Sequence, residues 1–346
     1  MKFTANNMIR TALFSALTGG LLLIFSCKNE PKTAQADASG QQSPTLAHLN
    51  QLLADNPGND SLLYLRAEEY YNLEAYDEAI ADLQTAIQTD SLHPQYYHLL
   101  ADVLLDYSRP NDSKRALDVL LTAAYLFPER IPTLLKLSEF QLIVKQHGDA
   151  LATLDKILKL NPQHPEAFFM AGRVALDKGD TTNAIASLRK SVQFDANNAD
   201  AWRFLGRIFL NRNDPSAIQY LDNALRVDST DLESKEYKAM FYKMRGEFDK
   251  AFEIYRGIIV ENPDYSNAYF DMGAIYLELD SLQKAYDHFN LAVKTDPLFV
   301  LAYHYRGVAS ELMGNMEDAK QDYLRANKMS PNHPDPKAAL ERLGVK

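Results

Sequence analysis

An alanine that returns at a nearly constant interval is the feature that most restricts how this chain can fold. The intervals between successive copies are 37, 34, 34, 33, 34, 34 and 34, and the copies are Ala79, Ala116, Ala150, Ala184, Ala217, Ala251, Ala285 and Ala319. A fixed period of roughly 20 to 50 residues is typical of repeat architectures, in which each unit packs only on its neighbours. The 346-residue chain is therefore expected to form one array of short units.

Each alanine occupies the same place in a pattern of small, large and helix-ending residues. A small residue lies twelve positions earlier in most units, as Gly273 does before Ala285, and a large residue such as Phe289 lies four positions later. Most units close with a proline such as Pro297, which cannot continue a helix. Apolar residues recur three to four apart in both halves of the unit, so each unit is interpreted as two helices joined by a turn.

The composition favours an all-α protein. Hydrophobic residues make up 46% of the chain and charged residues 24%, which is typical of a folded rather than a disordered protein. Alternating runs rich in Val, Ile and Thr, the usual signature of strands, are missing from the sequence. Helix pairs of this kind bury their apolar faces only by stacking on the next pair.

The pattern resembles that of tetratricopeptide repeat (TPR) proteins, whose unit is about 34 residues long. Two units match the opening motif of that family, through Trp202, Leu205 and Gly206, and through Tyr269, Met272, Gly273 and Tyr276. The resemblance implies an all-α TPR solenoid with eight repeats over residues 60–331, wound as a right-handed superhelix. Capping helices are predicted at 45–59 and 332–346. Repeat six departs from the pattern, because Lys235 and Lys238 occupy helix positions that are usually apolar.

Residues 1–26 are interpreted as an export signal. Lys2 and Arg10 give a basic start, and residues 11–25 form an apolar run that is too short to span a membrane. Ile24-Phe25-Ser26-Cys27 resembles the lipobox of bacterial lipoproteins, which implies cleavage before Cys27 and lipidation of its thiol. Cys27 is the only cysteine, so it cannot form an intramolecular disulfide. The alternative is an ordinary cleaved signal that leaves a free thiol.

The residues after Cys27 predict a flexible tether and an envelope location. Residues 27–44 are rich in Gln, Ser, Ala and Pro and lack apolar periodicity. Lys28-Asn29-Glu30 partly resembles a signal that sends lipoproteins to the outer leaflet, so the predicted location is the outer membrane, at its periplasmic face or the cell surface. Removal of Lys2 and Arg10 with the signal takes the net charge from −10 to −12, which disfavours nucleic acid as a partner.

Motifs of catalysis and cofactor binding are missing from the sequence. It contains no Gly-rich phosphate loop, no His-Glu-x-x-His and no Gly-x-Ser-x-Gly. His93, His164 and His333 stand at the same place in different repeats, so they are interpreted as turn residues that cannot share one ion. The sequence therefore predicts a protein that is not an enzyme, with no cofactor and no metal site.

The TPR resemblance implies a concave groove lined by the first helix of each repeat. Alignment of the repeats places nine aromatic, histidine or arginine side chains on it: Tyr64, His98, Phe169, Arg173, Arg203, Arg207, Tyr237, Phe270 and His304. Arg203 and Arg207 lie four positions apart on one helix, so a bound carboxylate could offset their repulsion. The alternative is a solvated face, in which Arg173 pairs with Asp177 and Arg203 with Asp200.

Two functions follow as hypotheses. The first is a membrane-tethered TPR scaffold or adaptor that binds a protein or peptide in its groove, within a bacterial envelope complex. The second is a surface-exposed capture lipoprotein for a small or polymeric ligand, in a nutrient or glycan uptake system. The sequence identifies neither the partner nor the oligomeric state.

Overall fold

The structure, a computed structural model, describes residues 43–345, which contain eighteen helices and no strand. The helices are α1 Pro44–Asp55, α2 Asp60–Asn72, α3 Tyr76–Thr89, α4 Pro94–Tyr107, α5 Asp112–Leu126, α6 Ile131–Ile143, α7 His147–Leu160, α8 Pro165–Asp177, α9 Thr181–Phe194, α10 Ala199–Asn211, α11 Ala217–Val227, α12 Leu232–Met244, α13 Phe248–Glu261, α14 Ser266–Glu278, α15 Leu282–Thr295, α16 Val300–Leu312, α17 Met316–Met329 and α18 Pro334–Arg342. The all-α prediction is confirmed. The predicted signal peptide, Cys27 and nearly all of the tether lie outside the described residues.

The helices form two compact units of similar construction. Residues 43–196 contain α1 and four helix pairs, and residues 197–345 contain four further pairs and α18. The pairs run from α2/α3 to α16/α17, which gives the eight helix–turn–helix repeats that the alanine period predicts. None of the helices in the described part of the chain has the length and hydropathy needed to cross a membrane.

Within each pair, the small residue of the first helix lies against the large residue of the second. An ideal Cβ on Gly273 would come within 2.8 Å of the Phe289 ring, and one on Gly206 within 2.6 Å of the Leu221 side chain. All eight repeating alanines are fully buried, and the large residue four positions later is at most 1% exposed in every repeat. Close approach of the two helices is therefore possible only because a hydrogen or a methyl group stands at the contact.

Prolines and histidines mark several helix starts. Pro94, Pro165 and Pro334 are each the first residue of a helix, where the missing N–H costs little. The preceding histidines occupy the N-cap positions. His164 and His333 accept a backbone N–H of their own helix through the imidazole ring. These contacts agree with the interpretation of the three histidines as turn residues.

Ion pairs accommodate the two unusual lysines of repeat six. Lys235 on α12 lies 2.5 Å from Glu261 at the end of α13, and Lys238 lies 2.7 Å from Asp222 on α11. Both aliphatic stems are largely covered while the ammonium groups reach the edge of the helix pair. Repeat six thus keeps the pair geometry with a polar first helix.

An arginine fork joins the helices at each end of the described chain. Arg66 on α2 donates to both carboxylate oxygens of Asp82 at 2.6 and 2.7 Å, and to Asn50 on α1 at 2.8 Å. Arg306 on α16 donates to both oxygens of Asp322 at 2.9 and 2.5 Å, and to Asn290 on α15 at 2.7 Å. Asn290 belongs to the second helix of repeat seven and contacts the first helix of repeat eight. Asn50 on α1 contacts the first helix of repeat one in the same way, so α1 occupies the place of a preceding second helix.

The small-to-large contact predicts opposite effects for two glycine substitutions in helices. Gly273→Ala places a methyl group inside the contact distance of Phe289, and overpacking of about 1–3 kcal/mol exceeds the gain in helix propensity of about 1 kcal/mol. Gly257→Ala, on α13, meets no atom within 4 Å and gains only the propensity. In urea denaturation, we expect a lower midpoint for the first variant and a raised one for the second. Equal shifts in one direction would contradict the packing argument.

Candidate binding face of the first helices

The candidate site is the surface formed by the first helix of each repeat, called here the first-helix face. Its members lie three positions before, or one position after, the small residue of the pair contact, except for Tyr237, which lies two positions before Ala239. In the unit of residues 43–196 they are on α2, α4, α6 and α8, and in the unit of residues 197–345 on α10, α12, α14 and α16. Each unit is described separately.

In the first unit, Phe169 and Arg173 are more enclosed than an open groove would make them. Phe169 is only 7% exposed. The Arg173 guanidinium lies 3.6 Å from Glu139, donates to the Met170 sulfur at 3.3 Å and lies over the Phe169 ring. The anticipated partner of Arg173, Asp177, instead accepts Lys145 and His147 at 2.5 Å each, and these contacts lower the pKa of its carboxyl. The alternative Arg173–Asp177 pair is therefore not formed.

The other two side chains of this face in the first unit are also engaged within the protein. The Tyr64 ring stacks on Tyr96 with centroids 5.1 Å apart. His98 is about half buried, and its Nε2 lies 3.0 Å from the Thr133 hydroxyl. Burial lowers the pKa of His98 to about 4, so its ring is neutral at neutral pH. Neither residue offers a fixed charge to a partner.

In the second unit, three carboxylates surround Arg203. Its guanidinium lies 2.5 Å from Asp200 on the same helix, and 3.0 Å from both Asp231 and Glu233 at the start of α12. The Arg203–Asp200 pair that the sequence left as an alternative is present. Because its charge is more than balanced inside the protein, Arg203 needs no external carboxylate to offset the neighbouring Arg207.

Arg207 differs from Arg203 in having aromatic rather than acidic neighbours. Its guanidinium lies 4.8 Å from the centre of the Phe204 ring, and it forms a hydrogen bond with the Tyr237 hydroxyl. Within residues 43–345 it has no carboxylate at ion-pair distance, although it is only partly buried. Arg207 is thus a partly exposed cation that the described part of the chain leaves without a counter-charge.

The structure also shows which residue of repeat six occupies the expected position on this face. Glu236, not Tyr237, stands three positions before the small residue Ala239, as Arg203 stands before Gly206. Tyr237 lies one position further along α12 and faces Arg207. Counting back from Ala239 would have identified Glu236 in the sequence.

Phe270 and His304 contribute to the core of the second unit. Phe270 packs against the rings of Phe289, Phe299 and Tyr305, with centroids 5.0 to 5.6 Å apart. His304 is 8% exposed, and its Nδ1 has no hydrogen-bond partner in the described residues. Burial lowers the pKa of His304 to about 4. The structure brings together Arg203, Arg207 and Tyr237. Phe270 and His304 instead pack among core residues.

Further charged residues lie where α12 meets α14, and of these the sequence indicated only Asp271 as a groove residue. Lys243 and Asp271 are 7% and 5% exposed, with their charged groups 3.8 Å apart. Glu236 is half-buried on α12, and Glu278 ends α14. Burial raises the pKa of both glutamate carboxyls. A face that the sequence predicted to be basic and aromatic therefore contains a mainly acidic cluster.

One group in the described residues has donor atoms close enough to share an ion. His93 Nε2 lies 3.2 Å from Asp90 Oδ2 and 3.7 Å from Asp60 Oδ2. The Tyr96 hydroxyl donates to Asp60 at 2.6 Å. Asp60, Asp90 and His93 thus contact one another between α2 and the turn before α4.

Comparisons with known proteins agree with the repeat period. Two family models, both described as tetratricopeptide repeat, match residues 46–96 and 146–199 and residues 301–333. Tetratricopeptide repeat protein 6 of Homo sapiens is 33% identical over 85 residues, which are 25% of this chain and 16% of that protein. The BBSome complex member BBS4 of Bos taurus is 29% identical over 103 residues, 30% of this chain and 20% of that protein. The matched segments span a fifth or less of either relative.

Solved structures with the same helical repeat cover more of the chain. The APC/C hetero-tetramer Cut9–Hcn1 aligns with 86% of this chain and 58% of its own chain, at a TM-score of 0.56 and 16% identity. A tetratricopeptide repeat protein from Parabacteroides merdae aligns over 71% of this chain and 98% of its own, at a TM-score of 0.55 and 20% identity. The family models thus show that the chain contains tetratricopeptide repeats, and the solved structures show that it has the fold of tetratricopeptide repeat proteins.

Proposed function

We propose that this protein is a non-enzymatic scaffold that binds a protein or peptide partner through the first-helix face. We also propose that a lipid on Cys27 tethers it to the outer membrane of a bacterial envelope. The TPR fold is suited to protein–protein interaction.

The observation that carries the binding proposal is the contrast between Arg203 and Arg207. Arg203 has three carboxylate partners within the chain, whereas Arg207 has aromatic neighbours and no ion pair among residues 43–345. A guanidinium beside Phe204 and Tyr237, with five N–H donors, can bind a planar acceptor such as a carboxylate. A carboxylate of a peptide partner fits such a group, and Tyr237 borders the same position.

The overall charge supports a protein partner rather than a nucleic acid. The chain carries a formal net charge of −10 before any processing. Glu233, Glu236 and Asp271 place further acid groups on or beneath the first-helix face. A polyphosphate would meet repulsion along most of this face, while a single acidic side chain could approach Arg207 alone.

The tether proposal rests on the sequence before residue 43. The lone Cys27 follows an apolar run and precedes a segment without apolar periodicity. Acyl chains stabilise membrane attachment by about 0.8 kcal/mol per buried methylene group, so a multi-chain anchor would hold the protein at the membrane. The folded repeats would then stand off the membrane surface on the tether.

Photo-crosslinking in intact cells tests the binding face. A photoreactive amino acid at position 207 is expected to give a discrete adduct with one protein, because the side chain at that position contacts the partner. The matched control is position 256, an exposed arginine on the second helix α13. Mass spectrometry of the adducts is the readout. Adducts from position 256 but none from position 207 would count against the proposal.

The trapped partner then permits a measurement of affinity. A hydrogen bond to a charged group contributes about 1.5–3 kcal/mol, so Arg207→Ala is expected to weaken binding by about tenfold or more. Arg256→Ala should leave binding unchanged. Titration calorimetry with both variants provides the comparison, and circular dichroism checks that both remain folded. Equal affinity of the Arg207→Ala variant and the unmodified protein would exclude the carboxylate contact.

Substitution of the single cysteine tests the tether. Without a thiol there is no attachment point for diacylglycerol, so Cys27→Ser should yield an unprocessed precursor or a protein that leaves the membrane fraction. Metabolic labelling with a fatty acid analogue is expected to mark the natural protein and not the variant. Ser26→Ala, which leaves the thiol in place, is the control. Unchanged processing and fractionation of Cys27→Ser would reject the lipid anchor.

A further inference from the structure

Repeats six and seven share an apolar cluster, in which Tyr255 and Ile258 lie with Met272 and Ile275, and they also meet through buried charges. Lys243, on the last turn of α12, is 7% exposed, and Asp271, on α14, is 5% exposed. Their charged groups lie 3.8 Å apart, so the pair is close but does not make a short hydrogen bond. A buried ion pair of this kind is stable only while other groups satisfy both charges.

Glu236 is the second carboxyl of this cluster. It lies two turns before Lys243 on α12, and it accepts a hydrogen bond from the hydroxyl of Tyr265, in the loop before α14. Asn267, on the first turn of α14, also contacts its carboxyl. Glu236 thus joins α12 to the beginning of α14, and Lys243 joins the two helices further along.

The charges on this cluster do not balance when every group is ionised. Lys243 is its one cation among the described residues and acts on the carboxyls of Asp271 and Glu278, while Asp271 in turn acts on Glu236. The other titratable or charged groups around it are Glu233 and Tyr237 on α12, Tyr255 on α13, Tyr265 before α14, and Arg207 on α10, which faces Tyr237. In a water-poor environment, an additional negative charge beside Asp271 is costly.

We propose that the cluster of Glu236, Asp271 and Lys243 is a protonation-controlled joint between the sixth and seventh repeats. While Glu236 is protonated, the Lys243 ammonium is opposed by one carboxylate, that of Asp271, and α12 and α14 stay in contact. Loss of that proton leaves two carboxylates opposite one ammonium, and their repulsion loosens the contact between these helices.

The titration of Glu236 supports this inference. Burial and the negative charge of Asp271 raise the pKa of Glu236 to about 7. Burial also raises the pKa of Asp271, against the effect of Lys243. A carboxyl whose pKa is higher in the folded than in the unfolded state stabilises the fold below its unfolded pKa, and that stabilisation is lost as the pH rises through the folded pKa. The contact should therefore weaken as the pH rises from about 4.5, where an unfolded glutamate ionises, through about 7, and part of that loss falls between pH 6 and pH 8.

Other contacts allow α12 to remain helical when the joint loosens. Lys235 stays paired with Glu261 on α13, and Lys238 with Asp222 on α11. Ala239 still packs against the fully buried Tyr255 and its neighbours in α13. The change is therefore limited to the charged part of the junction, because Met272 and Ile275 on α14 belong to the same apolar cluster as Tyr255, and the helix pair of repeat six persists.

Hydrogen–deuterium exchange of the full chain at pH 6 and pH 8 tests the joint. After correction for the intrinsic exchange rates, protection of α12 and α14 is expected to fall about tenfold at the higher pH, because a group with pKa near 7 is mostly ionised there. Glu236→Gln keeps the shape and the hydrogen bonds of the side chain but cannot ionise, so protection should not change with pH. Glu253→Gln, an exposed position on α13, should behave as the unmodified protein does.

A measurement on the unmodified protein covers the case in which Glu236→Gln does not fold. With carboxyl-labelled glutamate, nuclear magnetic resonance should detect one glutamate that titrates near neutral pH. The joint is disproved if every glutamate carboxyl titrates below about pH 5. It is also disproved if Glu236→Gln and the unmodified protein lose protection equally between pH 6 and pH 8.

Discussion

Each repeat depends on one close contact, between a small residue on the first helix and a large residue on the second. At Gly273 there is no room for a methyl group beside Phe289. The repeating alanine on each of the eight second helices is fully buried. This contact sets the distance between the two helices, and the stacking of pairs then buries the remaining apolar surface. The residues that build the scaffold are therefore unavailable for recognition, which is left to the side chains around them.

In repeat six, charged side chains also take part in the contacts of the first helix. This helix keeps Ala239 in an apolar cluster and adds ion pairs to α11, α13 and α14. Apolar packing is insensitive to protonation, whereas paired charges respond to it. In the second unit, this helix also contributes Tyr237 beside Arg207, so a helix rich in charged residues borders the candidate binding position.

The sequence predicted the fold well because its signal is local and repeated. Ala285, Gly273 and Phe289 stand at fixed spacings within one unit, and eight copies average out the exceptions. The surroundings of the candidate site residues could not be predicted in the same way, because they depend on residues from other repeats. Asp231 and Glu233 balance Arg203 from the start of the following repeat, and the burial of His304 depends on how α16 packs. Helical spacing locates a side chain on a face, but it does not show which charges meet there.

The arginine forks at the two ends of the described chain fix the rotation of the helices that carry them. A guanidinium that binds two carboxylate oxygens and an amide in one plane accepts little deviation. One inserted residue would turn α2 or α16 by about 100° and separate all three groups. Both insertions and deletions relative to the common period occur in other repeats, at residues 106–113 and 211–215. Each fork thus fixes the rotation of its own helix within its own unit, and the changes in repeat length fall in other repeats.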